Sequence, residues 1–374
     1  KQEYNFSEIL SRLIISRKFD NDEIATINTD LDLNNVFLNN KDFSQSINLV
    51  VNSINNNEKI CILGDYDVDG SAATSLFVKF FEDINHPFFY YIPDREKDGY
   101  GATKKLFNKL ILEKPKLIIM VDCGSTSNEA IDFLNENEIK SLIIDHHEIN
   151  KPFPNANSII NPKKDNGYKE YDYLCATTLT YFFLDLLIKK IKTKINISDY
   201  LIYVLLATVC DVMPLRKLNR LIALNALKNF DITKNLPLNT LFELNEKKNK
   251  ITINDLGYLI GPIINSGGRL GYSNYGADLL ISDKKPMIQF TDLRLYIPKY
   301  ENFVSLTIQD NDDTKILISF QKTKPKIYLI LNPSGYRSFA VPDVIRRTFR
   351  QTKPALEALG FQIGSLTYKD DLGK

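Results

Sequence analysis

Four apolar runs of this chain each lead directly into aspartate, and the segments between the first three have helical periodicity. The continuous runs predict buried strands of a parallel sheet at 59–64, 117–122 and 141–145. The periodic segments at 71–84, 102–112 and 127–137 predict the helices between them. This alternation predicts an α/β fold with a doubly wound parallel sheet, in which ligands bind beyond the carboxyl ends of the strands. The aspartates fall at those ends.

Composition divides the chain into four predicted segments. Residues 1–44 are polar and rich in asparagine, with short helical patterns, and residues 45–285 form the main domain. This domain includes a mainly helical extension over 172–230, and then a helix followed by a loop at 263–271. Asparagine is absent from 333–374, which holds four of the eleven arginines and is predicted to be a small α+β module. Residues 286–332 connect the two, with strands expected at 316–320 and 326–331.

Charge and hydropathy exclude several classes of protein. The net charge is +1, so a nucleic acid would have to be held by a local patch rather than by a global basic field. No apolar run approaches the ~18 residues of a membrane span, and no signal peptide is recognised, so no membrane partner is expected. The four cysteines fit no zinc spacing, and those at 61, 123 and 210 lie in or beside predicted buried strands. Reduced thiols and a cytoplasmic location are expected.

Three carboxylates alternate directly after the first predicted strand, at Asp65, Asp67 and Asp69, and end at Gly70. Anions this close repel one another unless cations neutralise them, so the cluster predicts a metal site. A turn allowed by Gly70 can distribute the three around more than one cation. The alternative is the start of a calcium loop, but no glutamate follows at the required position, and a strand precedes the cluster instead of a helix.

Two further aspartates and a histidine pair lie at the ends of the other three apolar runs. Asp122 and Asp211 each have a second interpretation as helix caps. His146 and His147 follow Asp145, and neighbouring side chains point in different directions, so one can bind metal while the other meets substrate. Imidazole and carboxylate together suit Mn²⁺, and two cations ~3.5–4 Å apart can activate water and stabilise both oxygens of an in-line phosphoryl displacement. The alternative interpretation is that the two histidines lie in a surface turn and have no function.

Seven segments in order resemble a known family. The sequences GDYDVDG at 64–70, VDCG at 121–124, DHH at 145–147 and ATVCD at 207–211 are similar to the motifs of the DHH phosphoesterases. IPDR at 92–95 with DGYG at 98–101, INP at 160–162 and NSGGRLG at 265–271 resemble the RecJ-type, single-strand-specific exonucleases of bacteria. The resemblance extends over about 30–285.

The resemblance implies a role for each matching residue. One metal would be held by Asp65, Asp67 and Asp122, and a second by Asp69, Asp122, His146 and Asp211. His147 would contact the scissile phosphate, and Asp145 would orient its neighbours. The implied contacts with the DNA strand come from Arg95, Gly99, Tyr100, Gly101, Asn265 and Arg269. The implied cofactors are two divalent ions, Mn²⁺ first and Mg²⁺ as the alternative. The implied reaction is 5′–3′ hydrolysis of single-stranded DNA, with a single-strand-binding protein or a helicase as partner.

Two departures from the family keep other interpretations open. The glycine-rich motif of the DHH-associated domain is not found after residue 285, and 335–374 resembles a PASTA domain that stops before its last strand. A fused or misassembled reading frame is one hypothesis that accounts for both. The alternative functions are hydrolysis of short oligonucleotides, cyclic dinucleotides or pyrophosphate, and a catalytically weak remnant that acts as a binding protein.

Overall fold

The computed structural model describes residues 6–25, 27, 33–94, 98–99, 101–165, 168–245, 247–248, 250–269 and 273–282, and four strands after residue 302. The chain divides into two compact units, Lys1–Pro286 and Met287–Lys374. The helices of the first unit are α1 Glu8–Ser16, α2 Asn21–Ala25, α3 Lys41–Asn55, α4 Val68–Asp83, α5 Lys104–Leu110, α6 Asn128–Glu136, α7 Ala176–Ile191, α8 Leu201–Cys210, α9 Lys217–Asn229, α10 Leu236–Leu244, α11 Ile253–Asp255, α12 Gly261–Arg269 and α13 Tyr275–Ile281.

The first unit is built on a five-stranded parallel sheet. Its strands are β1 Ile60–Leu63, β2 Phe88–Tyr91, β3 Leu117–Val121, β4 Lys140–Ile144 and β5 Ser158–Ile160, in the spatial order β2-β1-β3-β4-β5. The order reverses at β1, because β2 lies on one side of it and β3 on the other. A crevice therefore opens beyond the carboxyl ends of β1 and β3, where ligands bind in sheets of this kind.

Helices cover both faces of this sheet, which confirms the doubly wound α/β prediction. On one face, Leu63, Met120 and Ile143 pack with α5 and α6 in a single buried cluster. On the other, α4 contacts β1, and α7 contacts β3 and β4. The central strands β1 and β3 are fully buried, which is why their sequences are continuously apolar.

The turn after β1 depends on a close approach of two backbone segments. Helix α4 begins at Val68, and its third residue, Gly70, lies against the backbone of Asp65. A Cβ atom at Gly70 would lie 2.5 Å from both the amide nitrogen and the carbonyl oxygen of Asp65. Only glycine fits here, so the sequence from Asp65 to Gly70 folds into a tight strand-to-helix turn. This turn is too short to be a calcium loop.

Three sequence predictions about this unit are wrong or incomplete. The apolar run before Asp211 is helix α8, which confirms the mainly helical extension predicted over 172–230. The buried strand expected beside Cys210 is wrong, because apolarity alone does not distinguish a buried helix from a buried strand. The predicted loop at 263–271 is helical as far as Arg269. Strands β2 and β5 were not predicted, since Phe88–Tyr91 is only half-buried and Ser158–Ile160 has three residues.

The second unit is described only through four strands. Strands β6 Phe303–Gln309 and β7 Lys315–Gln321 pair antiparallel, as do β8 Tyr328–Leu331 and β9 Arg337–Ala340. β7 and β8 confirm the two strands expected at 316–320 and 326–331. The β8–β9 pair crosses the boundary predicted at 332/333. The rest of the PASTA-like segment lies outside the described residues.

No helix in the described part of the chain is long and apolar enough to cross a membrane.

Candidate metal centre

Four segments bring carboxylates and imidazoles to the crevice at the carboxyl end of the sheet. Asp65 follows β1, Asp67 is the N-cap of α4, and Asp69 lies in the first turn of that helix. Asp122 follows β3 directly, and Asp145, His146 and His147 follow β4. Asp211 is the C-cap of α8, so it reaches the crevice from the helical extension. Asp122 caps no helix, because α6 begins at Asn128 with Ser127 as its N-cap.

The ligand atoms form three groups in which all atoms lie within 4.8 Å of one another. The groups are Asp65 with Asp67 and Asp122, then Asp69 with His146 and Asp211, and finally Asp122 with His146 and His147. His146 Nε2 lies 3.3 Å from Asp122 Oδ1, 3.4 Å from Asp211 Oδ2 and 3.6 Å from Asp69 Oδ2. Asp122 is shared between two groups, which is the arrangement that a bridging carboxylate needs.

Several buried atoms of this cluster have no hydrogen-bond partner among the described residues. They are both carboxylate oxygens of Asp122, both ring nitrogens of His146, and Oδ2 of Asp211. An unpaired buried polar atom costs ~1–3 kcal/mol, and more if it is charged. Oxygen and imidazole nitrogen are ligands that suit Mn²⁺, so the donor set fits divalent cations.

Burial and mutual repulsion disfavour the charged forms of these groups. Burial, and then the charges of Asp69 and Asp67, raise the pKa of Asp122 well above its usual value. Burial and the charge of Asp69 raise the pKa of Asp211 to about 7. Burial lowers the pKa of His146, which keeps its imidazole neutral and able to bind a metal. Without a cation these carboxyl groups therefore tend towards their protonated forms, and a bound divalent cation would favour the ionised carboxylates instead.

The backbone at Asp122 is held in an uncommon conformation. Its φ is +60°, in the left-handed region, and its amide donates to the carbonyl oxygen of Ile144, 3.0 Å away. Aspartate tolerates this region better than most residues, but the conformation still costs of order 1–2 kcal/mol. In this conformation the carboxylate of Asp122 lies within the cluster of metal-ligand candidates.

Asp69 also has a structural contact that sequence reasoning missed. Its Oδ2 and Oδ1 accept hydrogen bonds from the amides of Ala176 and Thr177, each at 2.8 Å. These amides begin α7, whose N-cap Cys175 provides no side-chain capping bond. Asp69 therefore caps α7 from a different helix and ties the metal-ligand cluster to the helical extension.

His147 is fixed by Asp145. His147 Nδ1 lies 2.8 Å from Asp145 Oδ1, which also accepts the amides of His146 and His147 at 2.8 and 3.2 Å. The hydrogen bond that the His147 ring donates to Asp145 raises the pKa of His147 to about 9. Burial opposes ionisation of Asp145, but the bond to His147 and the bond from Ser125 overcome it and lower the pKa of Asp145. His147, with 45% of its side chain exposed, presents a cation to solvent at the edge of the cluster.

The predicted strand-contact residues are only partly described. Arg95 and Tyr100 lie outside the described residues, and of Arg269 only its position at the end of α12 is described. Gly99 and Gly101 have φ values of +85° and +70°, and a Cβ atom added at either would have no described atom within 4 Å. Their loop is anchored by the buried Asp98, which accepts hydrogen bonds from Tyr91 and from Lys109. Asn265 lies on α12, and its buried Oδ1 has no hydrogen-bond partner among the described residues.

Sequence reasoning included Asn161 in the INP segment at 160–162 but gave it no role in the site, and it gave no site role to Ser125 or Lys163. All three lie next to the histidine pair. Asn161 follows β5 directly and is fully buried. It is therefore one more polar residue at the exit of a buried strand, the signal that identified the aspartates. The three-residue strand before it was too short to be recognised.

Comparison with known proteins identifies the family of the central region. The model of the DHH family, N-terminal domain, matches residues 59–208. The single-stranded-DNA-specific exonuclease RecJ of Haemophilus influenzae is 31% identical over 255 residues, covering 64% of this chain and 44% of the relative. RecJ of Bacillus subtilis is 27% identical over 289 residues, covering 75% of this chain and 36% of the relative. The chain spans less than half the length of these two relatives.

Two solved structures share the fold. RecJ of Thermus thermophilus in complex with Mn²⁺ matches with a TM-score of 0.61 at 23% identity, over 73% of this chain and 38% of that chain. An exonuclease RecJ bound to manganese matches with a TM-score of 0.59 at 24% identity, over 69% of this chain and 63% of that one. Residues 59–208 therefore match the N-terminal domain of the DHH family, and the chain is similar to RecJ proteins over about two thirds to three quarters of its length.

Proposed function

We propose that this chain is a metal-dependent phosphodiesterase that hydrolyses single-stranded DNA from the 5′ end. The observation that carries the proposal is the cluster of Asp122, His146 and Asp211, whose buried polar atoms have no partner among the described residues. The similarity to RecJ exonucleases supports the choice of substrate. The relatives are longer proteins, so the activity of this chain needs its own assay.

We assign the metal ligands as two sets that share Asp122. One set is Asp65, Asp67 and Asp122, and the other is Asp69, Asp122, His146 and Asp211. The two sets draw on groups whose atoms lie within 4.8 Å of one another. Mn²⁺ is the proposed metal because RecJ of Thermus thermophilus is known in complex with it, and Mg²⁺ is the alternative. When bound, such ions would activate water and stabilise charge at the phosphate.

The chain's own residues bind and orient the substrate. His147 carries a positive charge at neutral pH because its pKa is about 9, and it would donate a hydrogen bond to the scissile phosphate. Asp145 holds the imidazole of His147 through Nδ1, which leaves Nε2 for the substrate. We propose that Arg95 and Arg269 bind the phosphates of the strand, and that Gly99, Tyr100, Gly101 and Asn265 contact it as well.

The domain assignment follows the same reasoning. We propose that residues 45–285 are the catalytic domain, that 1–44 precede it as a polar helical segment, and that 286–332 connect it to a PASTA-like module at 333–374. We further propose action in the cytoplasm, together with a single-strand-binding protein or a helicase that supplies the strand. Copurification of these partners tests the last point.

A panel of substrates labelled at one end tests the function. With Mn²⁺, the purified chain should release mononucleotides from 5′-labelled single strands and leave a blunt duplex intact. Release first from 3′-labelled strands would refute the polarity. Cleavage confined to dinucleotides, cyclic dinucleotides or pyrophosphate would assign a small substrate to the same cluster. No turnover on any substrate would identify a binding protein that retains the fold.

A further inference from the structure

Asn161 joins the ends of three segments that converge on the histidine pair. It is fully buried and directly follows the edge strand β5. Its Nδ2 group donates to the carbonyl oxygen of His147 at 3.0 Å and to Ser125 Oγ at 2.8 Å. One side-chain amide therefore connects β5 to the loop after β4 and to the loop after β3.

The remaining polar groups of Asn161 are also satisfied. Its Oδ1 accepts a hydrogen bond from the backbone amide of Lys163 at 2.8 Å. The backbone amide of Asn161 donates to the hydroxyl of Tyr168 at 2.9 Å. Because both ends of the side chain are bonded, its orientation is fixed, and the side-chain amide cannot rotate without breaking three hydrogen bonds. Asn161 is therefore a rigid connector and not a mobile polar residue.

The contacts of Asn161 lead to His147 by two routes. The direct route is the bond to the His147 carbonyl oxygen, which holds the backbone that carries the imidazole. The indirect route passes through Ser125, whose amide donates to Asp145 Oδ2 at 3.0 Å, while Asp145 Oδ1 lies 2.8 Å from His147 Nδ1. Main chain and ring are thus oriented from the same residue.

We propose that Asn161 is a positioning residue for His147: it sets the direction in which the imidazole faces the substrate phosphate. This inference rests on the proposed phosphodiesterase function, in which His147 contacts the substrate. Removing the Nδ2 donor leaves the His147 carbonyl oxygen and Ser125 Oγ without it, and the loop of the histidine pair relaxes. Loss of such an outer partner typically lowers activity by ~10–100-fold.

Asn35 provides a matched control within the same chain. It is buried, and its Oδ1 accepts the amide of Phe37, two residues on, at 3.0 Å. Its Nδ2 donates to the carbonyl oxygen of Phe182 and to Asp185 Oδ2, at 2.9 and 2.7 Å. Asn35→Ala therefore removes the same kinds of bond as Asn161→Ala, but at the middle of α7 instead of at the histidine pair.

The kinetic test uses Asn161→Ala, Asn161→Asp and Asn35→Ala in the full chain with Mn²⁺. Asn161→Asp keeps an acceptor for Lys163 and replaces the Nδ2 donor by a carboxyl oxygen, so it removes the contact with the His147 carbonyl oxygen without removing the turn at Lys163. Both Asn161 variants should lower kcat on single-stranded DNA by about 10–100-fold, with KM and bound manganese near the parent values. Asn35→Ala should keep the parent kcat even where its melting temperature falls. Parent kcat in Asn161→Ala, or an equal loss in Asn35→Ala, would overturn the proposal.

A second readout does not depend on activity. The chain has only three histidines, so selective isotope labelling gives a simple imidazole NMR spectrum for the metal-free protein. Asn161→Ala should shift the signals of His147, assigned through His147→Gln, and leave those of His86 in place. Unchanged His147 signals would overturn the positioning role. A shift of these signals in a chain that hydrolyses no DNA would retain the positioning role and reject the proposed function instead.

Discussion

Replacing Asp211 by asparagine should stabilise the metal-free protein and remove most of its stabilisation by Mn²⁺. Burial and the charge of Asp69 raise the pKa of Asp211 from 3.8 to about 7. A carboxyl group whose folded pKa is raised contributes stability that is fully present below its unfolded pKa, near 4. This stability is lost as the pH rises towards 7. The metal-free parent is therefore destabilised most at alkaline pH.

The size of the effect follows from the shift in pKa. A rise of about three units corresponds to ~4 kcal/mol at pH 8 and to roughly half of that at pH 5.5. The Asp211 side chain is 29% exposed, and solvent screening makes this an upper value. Since ~1 kcal/mol moves the melting temperature by about 2–4 °C in a domain of this size, Asp211→Asn should melt several degrees above the parent.

Thermal unfolding followed by circular dichroism measures this difference. Parent and Asp211→Asn are compared after chelation at pH 5.5 and pH 8, and again with Mn²⁺. The control is Asp132→Asn, an exposed carboxylate on α6, which should melt like the parent in every condition. A metal-free Asp211→Asn that melts at or below the parent at pH 8 would refute the electrostatic reasoning. Equal stabilisation of both proteins by Mn²⁺ would remove Asp211 from the metal site.

Three further predictions concern the roles proposed for individual residues. Asp122→Ala should lose both metals and all turnover, because two sets of ligands share this carboxylate. Atomic emission spectroscopy of the dialysed variant measures its metal content. Two manganese ions still bound would contradict the bridging role of Asp122. His147→Ala should lower turnover by about 10²–10⁴-fold and keep its bound metal, because His147 is proposed to act on the substrate directly. An equal loss of metal from this variant would make His147 a metal ligand. Arg269→Ala should weaken binding to single-stranded DNA and reduce the slope of log affinity against log salt by about one, unlike the exposed Arg12→Ala.

The site residues at the strand ends could be predicted because buried apolar strands lead directly into polar residues there. Buried parallel strands need continuous apolar sequence, so each polar residue at their carboxyl ends stands out. Asp65, Asp122 and Asp145 were identified in this way, and the structure brings them to one crevice. Asp211 was identified for a partly wrong reason, since it ends a helix and not a strand. It reaches the same crevice through packing of α8 against α4, which a local pattern does not encode.

The connections between segments could not be predicted, because they depend on distant contacts. Asp69 caps α7 across more than a hundred residues, and Asn161 joins His147 to Ser125. No local periodicity marks either contact. The helix over Gly261–Arg269 was missed because its glycines favour a loop by propensity. At the start of this helix, glycine is required by close packing against α8, since a Cβ at Gly261 would lie 2.3 Å from Cys210 Sγ.

Anomalous diffraction from crystals grown with Mn²⁺ tests the central claim most directly. The account predicts two manganese peaks ~3.5–4 Å apart. One should lie among Asp65, Asp67 and Asp122, and the other among Asp122, His146 and Asp211. Both should disappear in Asp122→Ala crystals that keep the parent fold. A well-ordered site with no anomalous peak, or with metal bound away from Asp122, would contradict the assignment of this cluster as the catalytic metal centre.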